Sequence, residues 1–265
     1  MSPLILLAYA LTGGIAGLLA GLLGIGGGLV IVPLLLLLFS WQGMESEYVM
    51  HLALGTSLAT IVFTAAASAY AHHHHGAVRW PLVAKISPGI ICGTLAGSWL
   101  AARLATGPLQ LFFAAFLFLV ALQLLLEIRP VVTRSLPGPG GMFGAGGVVG
   151  LISSLAGIGG GSMTVPFLLW SKIPIHQAIG TAAAIGLPLG LAGTGGYVIN
   201  GWQLAGLPPL AVGFVYLPAM LVISAATVVT APLGASLAHS LSGPGMRRIF
   251  AVLLIIVATK MVLTR

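Results

Sequence analysis

Long apolar runs separated by short polar or glycine-rich stretches set the pattern of the chain. Pro3 to Leu23 is the first run, and it stops at Gly24-Ile25-Gly26-Gly27-Gly28. Leu29 to Ser40 resumes the apolar pattern but falls short of the roughly 20 helical residues that cross a bilayer. A polar stretch, Trp41 to Glu47, leads into Val49 to Ala71, a full span. His72 to His75 then read as part of a solvated loop before Trp80 to Ala102, a span with Trp80 as interface anchor. Leu109 to Leu126 follows. Further on come Met142 to Ala156, a second glycine break, and the short run Ser162 to Trp170. Gln177 to Ile199, Val212 to Leu241 (interrupted by Pro218 and Pro232) and Arg247 to Leu263 complete the series, with Asn200 to Pro209 as an inserted loop. The runs are too long and too unalternating for a membrane barrel, so they predict helices.

Composition fixes the setting of these helices. Of 265 residues, 58% are hydrophobic and 5% charged, with a mean hydropathy of +1.14. Soluble domains carry about 25% charged residues, so this chain has too little polar surface to live in water. The predicted fold class is an all-α polytopic membrane protein with about eight to ten membrane segments. The net charge of +7 comes from bases at the ends of apolar runs. These read as topology signals and lipid-headgroup contacts, and nucleic acid is not an expected partner. Met1 to Leu23 lacks a basic leader and a cleavage site and reads as a retained first helix. The one cysteine, Cys92, allows no intramolecular disulfide and no cysteine metal cluster.

The chain repeats itself. Gly17 to Pro33 and Gly150 to Pro166 match at 10 of 17 positions at a shift of 133, including both Gly-Ile-Gly-Gly-Gly cores. His51-x-Ala53-x-Gly55-Thr56 recurs as His176-x-Ala178-x-Gly180-Thr181 at a shift of 125. Gly76-x-Val78-x-x-Pro81 recurs as Gly213-x-Val215-x-x-Pro218 at a shift of 137, as does Gly97-x-x-Leu100-Ala101 in Gly234-x-x-Leu237-Ala238. We therefore expect an N-terminal repeat over 1–128, a linker over 129–141 and a C-terminal repeat over 142–265. Five segments in each half make the two inverted repeats. One face then receives Arg79, Lys85, Arg129, Arg134, Lys172, Arg247 and Arg248. The other receives Arg103, Lys260, Arg265, Glu45 and Glu47. The first face is expected to be cytoplasmic. Re-entrant short segments would lower the count to about eight and blur this asymmetry.

The paired glycine motifs with their prolines, the His-x-x-x-Gly-Thr stretch and the Gly-x-Val-x-x-Pro stretch resemble the sulfite exporter TauE/SafE family over nearly the whole chain. The resemblance implies a multi-pass transporter in a bacterial inner membrane, carrying sulfite, organosulfonates or related sulfur anions, with no cofactor. It assigns no role to the four histidines or to the insertion near Asn200.

The glycines point to an anion independently. A helix that begins inside the protein presents unpaired N–H groups and about half a positive charge. Glycine lets an oxyanion reach that backbone. Candidate substrate contacts are Gly24, Gly26, Gly27 and Gly28 in the first break and Gly157, Gly159, Gly160 and Gly161 in the second. The bland alternative is close helix packing, as small residues give in membranes. Thr56, Ser57 and Thr181 offer hydroxyls from equivalent spans, and Ser153, Ser154 and Ser162 flank the second break. Each hydroxyl has the alternative of bonding its own helix carbonyl. His51 and His176 are candidates for proton or substrate contact.

No Asp exists, and no Glu lies mid-span, which lowers the weight of a carboxylate-driven pump. The chain also lacks the metal and catalytic patterns of a membrane enzyme. The reading is a secondary transporter that exports sulfite or an organosulfonate by alternating access, the lipid bilayer its other partner, with room for a homo-oligomer. Ion-coupled uptake of a sulfur oxyanion and an anion channel remain as alternatives.

Overall fold

The computed structural model describes residues 2–23, 27–44, 47–126, 136–240 and 244–263. Its elements run α1 (Pro3–Leu23), α2 (Gly28–Trp41), α3 (Val49–His74), α4 (Trp80–Ala101), α5 (Thr106–Leu125), α6 (Pro139–Ala156), α7 (Gly161–Trp170), α8 (Ile175–Gly201), a hairpin of β1 (Ala211–Val212) and β2 (Val215–Tyr216), α9 (Leu217–Ser240) and α10 (Pro244–Leu263). Six described helices are long and apolar enough to cross a membrane: α1, α3, α5, α6, α8 and α9. At 22 residues, α4 matches them in length. The protein is a polytopic helical membrane protein.

α3 is the central element. In its apolar window 78% of residues are buried, against 33–56% in the other five spans. The outer helices show the opposite pattern. Leu7 and Leu11 of α1, Leu119 of α5, Val229 and Leu233 of α9 and Ile256 of α10 are exposed. Apolar side chains facing outward are what lipid requires.

Glycine decides which helices meet. A methyl group on Gly13 or Gly17 of α1 would overlap the backbone or side chains of α9 at Ile223 and Thr227. One on Gly146 or Gly150 of α6 would overlap the Ile86 and Ile90 carbonyls of α4. The glycines correspond at a shift of 133, and Ile86 and Ile90 correspond to Ile223 and Thr227 at a shift of 137. Each first helix therefore packs on the fourth helix of the other half, α1 on α9 and α6 on α4. The other contacts exchange in the same way. α3 lies against α9 as α4 lies against α8, while α3 with α8 and α5 with α10 pair directly.

Two cross-half hydrogen bonds follow the same rule. The Arg79 N–H donates to Thr181 Oγ1 at 3.1 Å, and the Tyr216 N–H donates to Thr56 Oγ1 at 2.9 Å. Arg79 and Tyr216 correspond at a shift of 137, Thr56 and Thr181 at 125.

The elements differ from the sequence expectations in three places. His72, His73 and His74 are not in a loop: α3 continues through them, and His72 is buried. The run expected to begin at Val212 opens as the β1–β2 hairpin, closed through Gly213 at φ 55, before α9 starts at Leu217. α6 begins at Pro139, inside the stretch expected as linker, and 127–135 lies outside the described residues.

Candidate functional site

Both short helices start in the same way. Gly27 precedes α2 with φ 72 and ψ −19. Gly160 precedes α7 with φ 74 and ψ −12. Such left-handed angles favour glycine. Neither helix start is capped by a side chain, so the first-turn N–H groups are left for other partners. α6 ends in a Schellman motif, with Gly157 left-handed at φ 62, the Ile158 N–H donating to the Ser153 carbonyl at 3.0 Å and the Gly157 N–H to the Ser154 carbonyl at 3.4 Å. Gly24 and Gly26 lie outside the described residues.

The two breaks touch. A side chain on Gly28 would overlap the Gly157 carbonyl and Ile158, so the start of α2 sits directly on the end of α6. α3 joins them there, because Ser57 Oγ donates to the Gly157 carbonyl at 2.7 Å. Beside this junction is a small cavity of about 10 Å³. It is lined by Ala20 of α1, Thr64 and Ser68 of α3, Gly159 of the second break, and Ala182 and Gly186 of α8. A cavity of this size has room for one water at most. A sulfur oxyanion would require the surrounding helices to part.

The hydroxyls fall into two groups. Those of Ser57, Thr56 and Thr181 are engaged across the halves, not with their own helix carbonyls. Ser154 Oγ does return to its own helix, donating to the Leu151 carbonyl at 3.0 Å. In contrast, the Ser68, Ser153, Ser162 and Thr164 hydroxyls are buried with no hydrogen-bond partner among the described residues. Three of these four flank the start of α7. A buried hydroxyl without a partner costs about 1–3 kcal/mol, and a bound anion or water would recover it. Gly159 and Ser68 face one cavity, and Gly160 lies against Ser153. Gly161 and Ser162 are buried in the first turn of α7.

The two candidate histidines have different surroundings. His51 is buried and its Nε2 lies 3.0 Å from the Ala101 carbonyl, with the ring stacked on Phe214 at 4.9 Å between centroids. His176 is exposed. Neither lines the cavity.

Sequence reading missed Thr64, Ser68 and His72. The signal was available: Thr56, Thr60, Thr64, Ser68 and His72 recur every four residues, so each lies about one turn beyond the last in a row that winds slowly around the helix. All five are at most 1% exposed. No group of three or more histidine, cysteine or acidic side chains suited to a metal occurs among the described residues.

Broken helices that meet inside a bundle of membrane spans define a polytopic membrane transporter, and comparison with known proteins agrees. The family model for the sulfite exporter TauE/SafE matches residues 9–261. A probable membrane transporter protein of Haemophilus influenzae is 40% identical over 97% of this chain and 98% of its own length. The probable membrane transporter protein YunE of Bacillus subtilis is 28% identical over 76% of this chain and 80% of its own. A probable membrane transporter protein of Methanocaldococcus jannaschii is 26% identical over 92% and 90%. No solved structure matches the chain. The chain belongs to the sulfite exporter TauE/SafE family.

Proposed function

We propose that the protein is a secondary transporter that exports sulfite or a small organosulfonate across a bacterial inner membrane. Its two halves act as inverted repeats in alternating access. The observation that carries this reading is the junction of the two breaks, with Gly28 seated on Gly157 and Ser57 tying both to α3. The exchange of contacts between halves supports the inverted relation: α1 with α9 mirrors α6 with α4, and Thr56 with Tyr216 mirrors Thr181 with Arg79. Such repeats place substrate at broken helices near the midplane.

In this reading the anion enters the cavity beside Gly159 when the helices part. The uncapped start of α7 supplies N–H donors and a positive dipole end. Ser68, Ser153, Ser162 and Thr164 supply hydroxyls that the closed state leaves unused. A cavity of about 10 Å³ is too small for the anion until the helices part, which supports a carrier over a continuous pore. Export of one negative charge from a negative interior gains about 2.3 kcal/mol per 100 mV, so no mid-span carboxylate is required to drive it.

Flux in proteoliposomes tests the proposal. Sulfite or methanesulfonate exchange should be saturable in the wild-type protein and should fall at least tenfold in Gly160→Leu. A folded Gly160→Leu protein with wild-type flux would remove the second break from the mechanism. Unitary currents in single-channel recordings would instead favour a channel.

A further inference from the structure

The repeat relation singles out His72. It corresponds to Tyr197 at a shift of 125, and Gly21 corresponds to Ser154 at a shift of 133. The two pairs make the same bond. His72 Nε2 donates to the Gly21 carbonyl at 3.2 Å, and Tyr197 Oη donates to the Ser154 carbonyl at 2.9 Å. In each half, a ring near the end of the central helix fastens the helix that leads into the glycine break. Tyrosine shows that this fastening needs only a donor. Histidine adds what tyrosine lacks, a second ring nitrogen able to bind a proton.

The place of His72 gives that proton a use. His72 is one helical turn beyond Ser68, on the same face of α3. Ser68 lines the cavity, and so does Ala20, the neighbour of the bonded Gly21. The polar row Thr56, Thr60, Thr64, Ser68 and His72 has no equivalent in the second half, where the matching residues after Thr181 are Ile185, Leu189, Gly193 and Tyr197. One side of the junction therefore carries a buried hydroxyl row ending in a titratable ring.

We propose that His72 is the proton-binding residue whose protonation is linked to anion binding in the adjoining cavity. The proposal rests on the transport reading above. A positive imidazolium one turn from the cavity favours an anion there, so the anion and the proton bind together. Among the described residues, the other titratable and charged side chains of the packed elements have different engagements. Tyr9 is the one titratable side chain of α1 and is bonded to Gln42. α2 carries none, and α9 carries none between Leu217 and Leu237. α8 carries Tyr197, which is committed to Ser154, and the exposed His176. Beyond the end of α3, Arg79 is exposed and donates to Gln177, and His73 accepts from the indole of Trp80. A proton bound with the anion would also supply the coupling ion that uptake requires, so the imposed gradients would set the direction of net flux.

The test uses methanesulfonate exchange in proteoliposomes at equal pH on both sides, from pH 5.5 to 8.5. This anion keeps its charge over that range. The half-saturating concentration should rise with pH, approaching tenfold per unit above the titration midpoint. His72→Tyr, which restores the arrangement found at Tyr197, should fold but hold the half-saturating concentration at the high value of the wild-type protein at pH 8.5, at every pH. His72→Gln, which keeps a donor, serves if the tyrosine variant does not fold. In parallel, NMR of the histidine rings should show His72 titrating in this range, with its midpoint raised by methanesulfonate or sulfite. A His72→Tyr protein with the wild-type pH profile, or a His72 ring that does not titrate, would overturn the proposal. Absence of exchange in the wild-type protein would count against the transport reading. The shift of the ring's midpoint by sulfite would then decide for or against His72.

Discussion

Ser57 and Ser68 are two buried hydroxyls of one helix with different surroundings. Both lie on α3 with hydroxyls out of contact with water, but Ser57 donates to the Gly157 carbonyl whereas Ser68 has no partner among the described residues. Replacing a buried donor strands its acceptor and costs about 1–2 kcal/mol. Ser57→Ala should therefore lower thermal stability in detergent by that amount. Ser68→Ala, which removes a buried hydroxyl without a partner among the described residues, should leave stability unchanged or raise it by up to about 1–3 kcal/mol, yet raise the half-saturating anion concentration severalfold. Unchanged transport in Ser68→Ala would remove this hydroxyl from the substrate path. Equal destabilisation by both substitutions would show that Ser68 has a structural partner.

At the scale of elements, the two threonine bonds carry the clearest expectation. Thr56→Val and Thr181→Val each strand a backbone N–H, of Tyr216 and Arg79 respectively. The Tyr216 bond is fully buried, while the Arg79 bond is partly buried. Thr56→Val should cost more in thermal unfolding, about 1–3 kcal/mol against less than 1 for Thr181→Val. The reverse order would contradict the burial seen here. Much of this was legible in the sequence, because the glycine, Gly-Thr and Gly-x-Val-x-x-Pro motifs recur with fixed shifts and mark the equivalent helices. The bonds themselves were not legible. Spacing alone cannot show that Thr56 accepts from a residue 160 positions away. Four consecutive histidines suggested a loop because their polarity hides that His72 is buried while His74 is exposed. The β1–β2 hairpin escaped notice because strands of two residues have no period to detect and lie inside an apolar run.

For the whole molecule, the exchange of contacts between halves makes the membrane orientation testable. If the halves are inverted repeats, the end of α3 at His74 and the start of α8 at Ile175 face one side of the membrane. They are joined there by the Arg79–Gln177 bond. Cysteines introduced at exposed His75 and His176 should react with a membrane-impermeant thiol reagent from the cytoplasmic side only. A cysteine at exposed Glu47 should react from the opposite side. Labelling of the His75 and His176 positions from opposite sides would exclude the inverted arrangement, and labelling of all three from one side would exclude α3 as a span. If the anion crosses without a proton, −100 mV inside should sustain an outward gradient of a monovalent anion of roughly 40-fold; if one proton crosses with it, as the His72 linkage implies, the pair is neutral and the potential should sustain no gradient.

The central claim is that the anion lies at the junction of the two glycine breaks. A structure of the exchange-competent protein determined with methanesulfonate or sulfite bound tests it most directly. The account predicts the sulfur within hydrogen-bonding reach of the N–H groups at Gly159 to Ser162, with Ser68 among its contacts and Gly28 and Gly157 moved apart. An anion bound elsewhere, with the Gly28–Gly157 contact still closed, would contradict it.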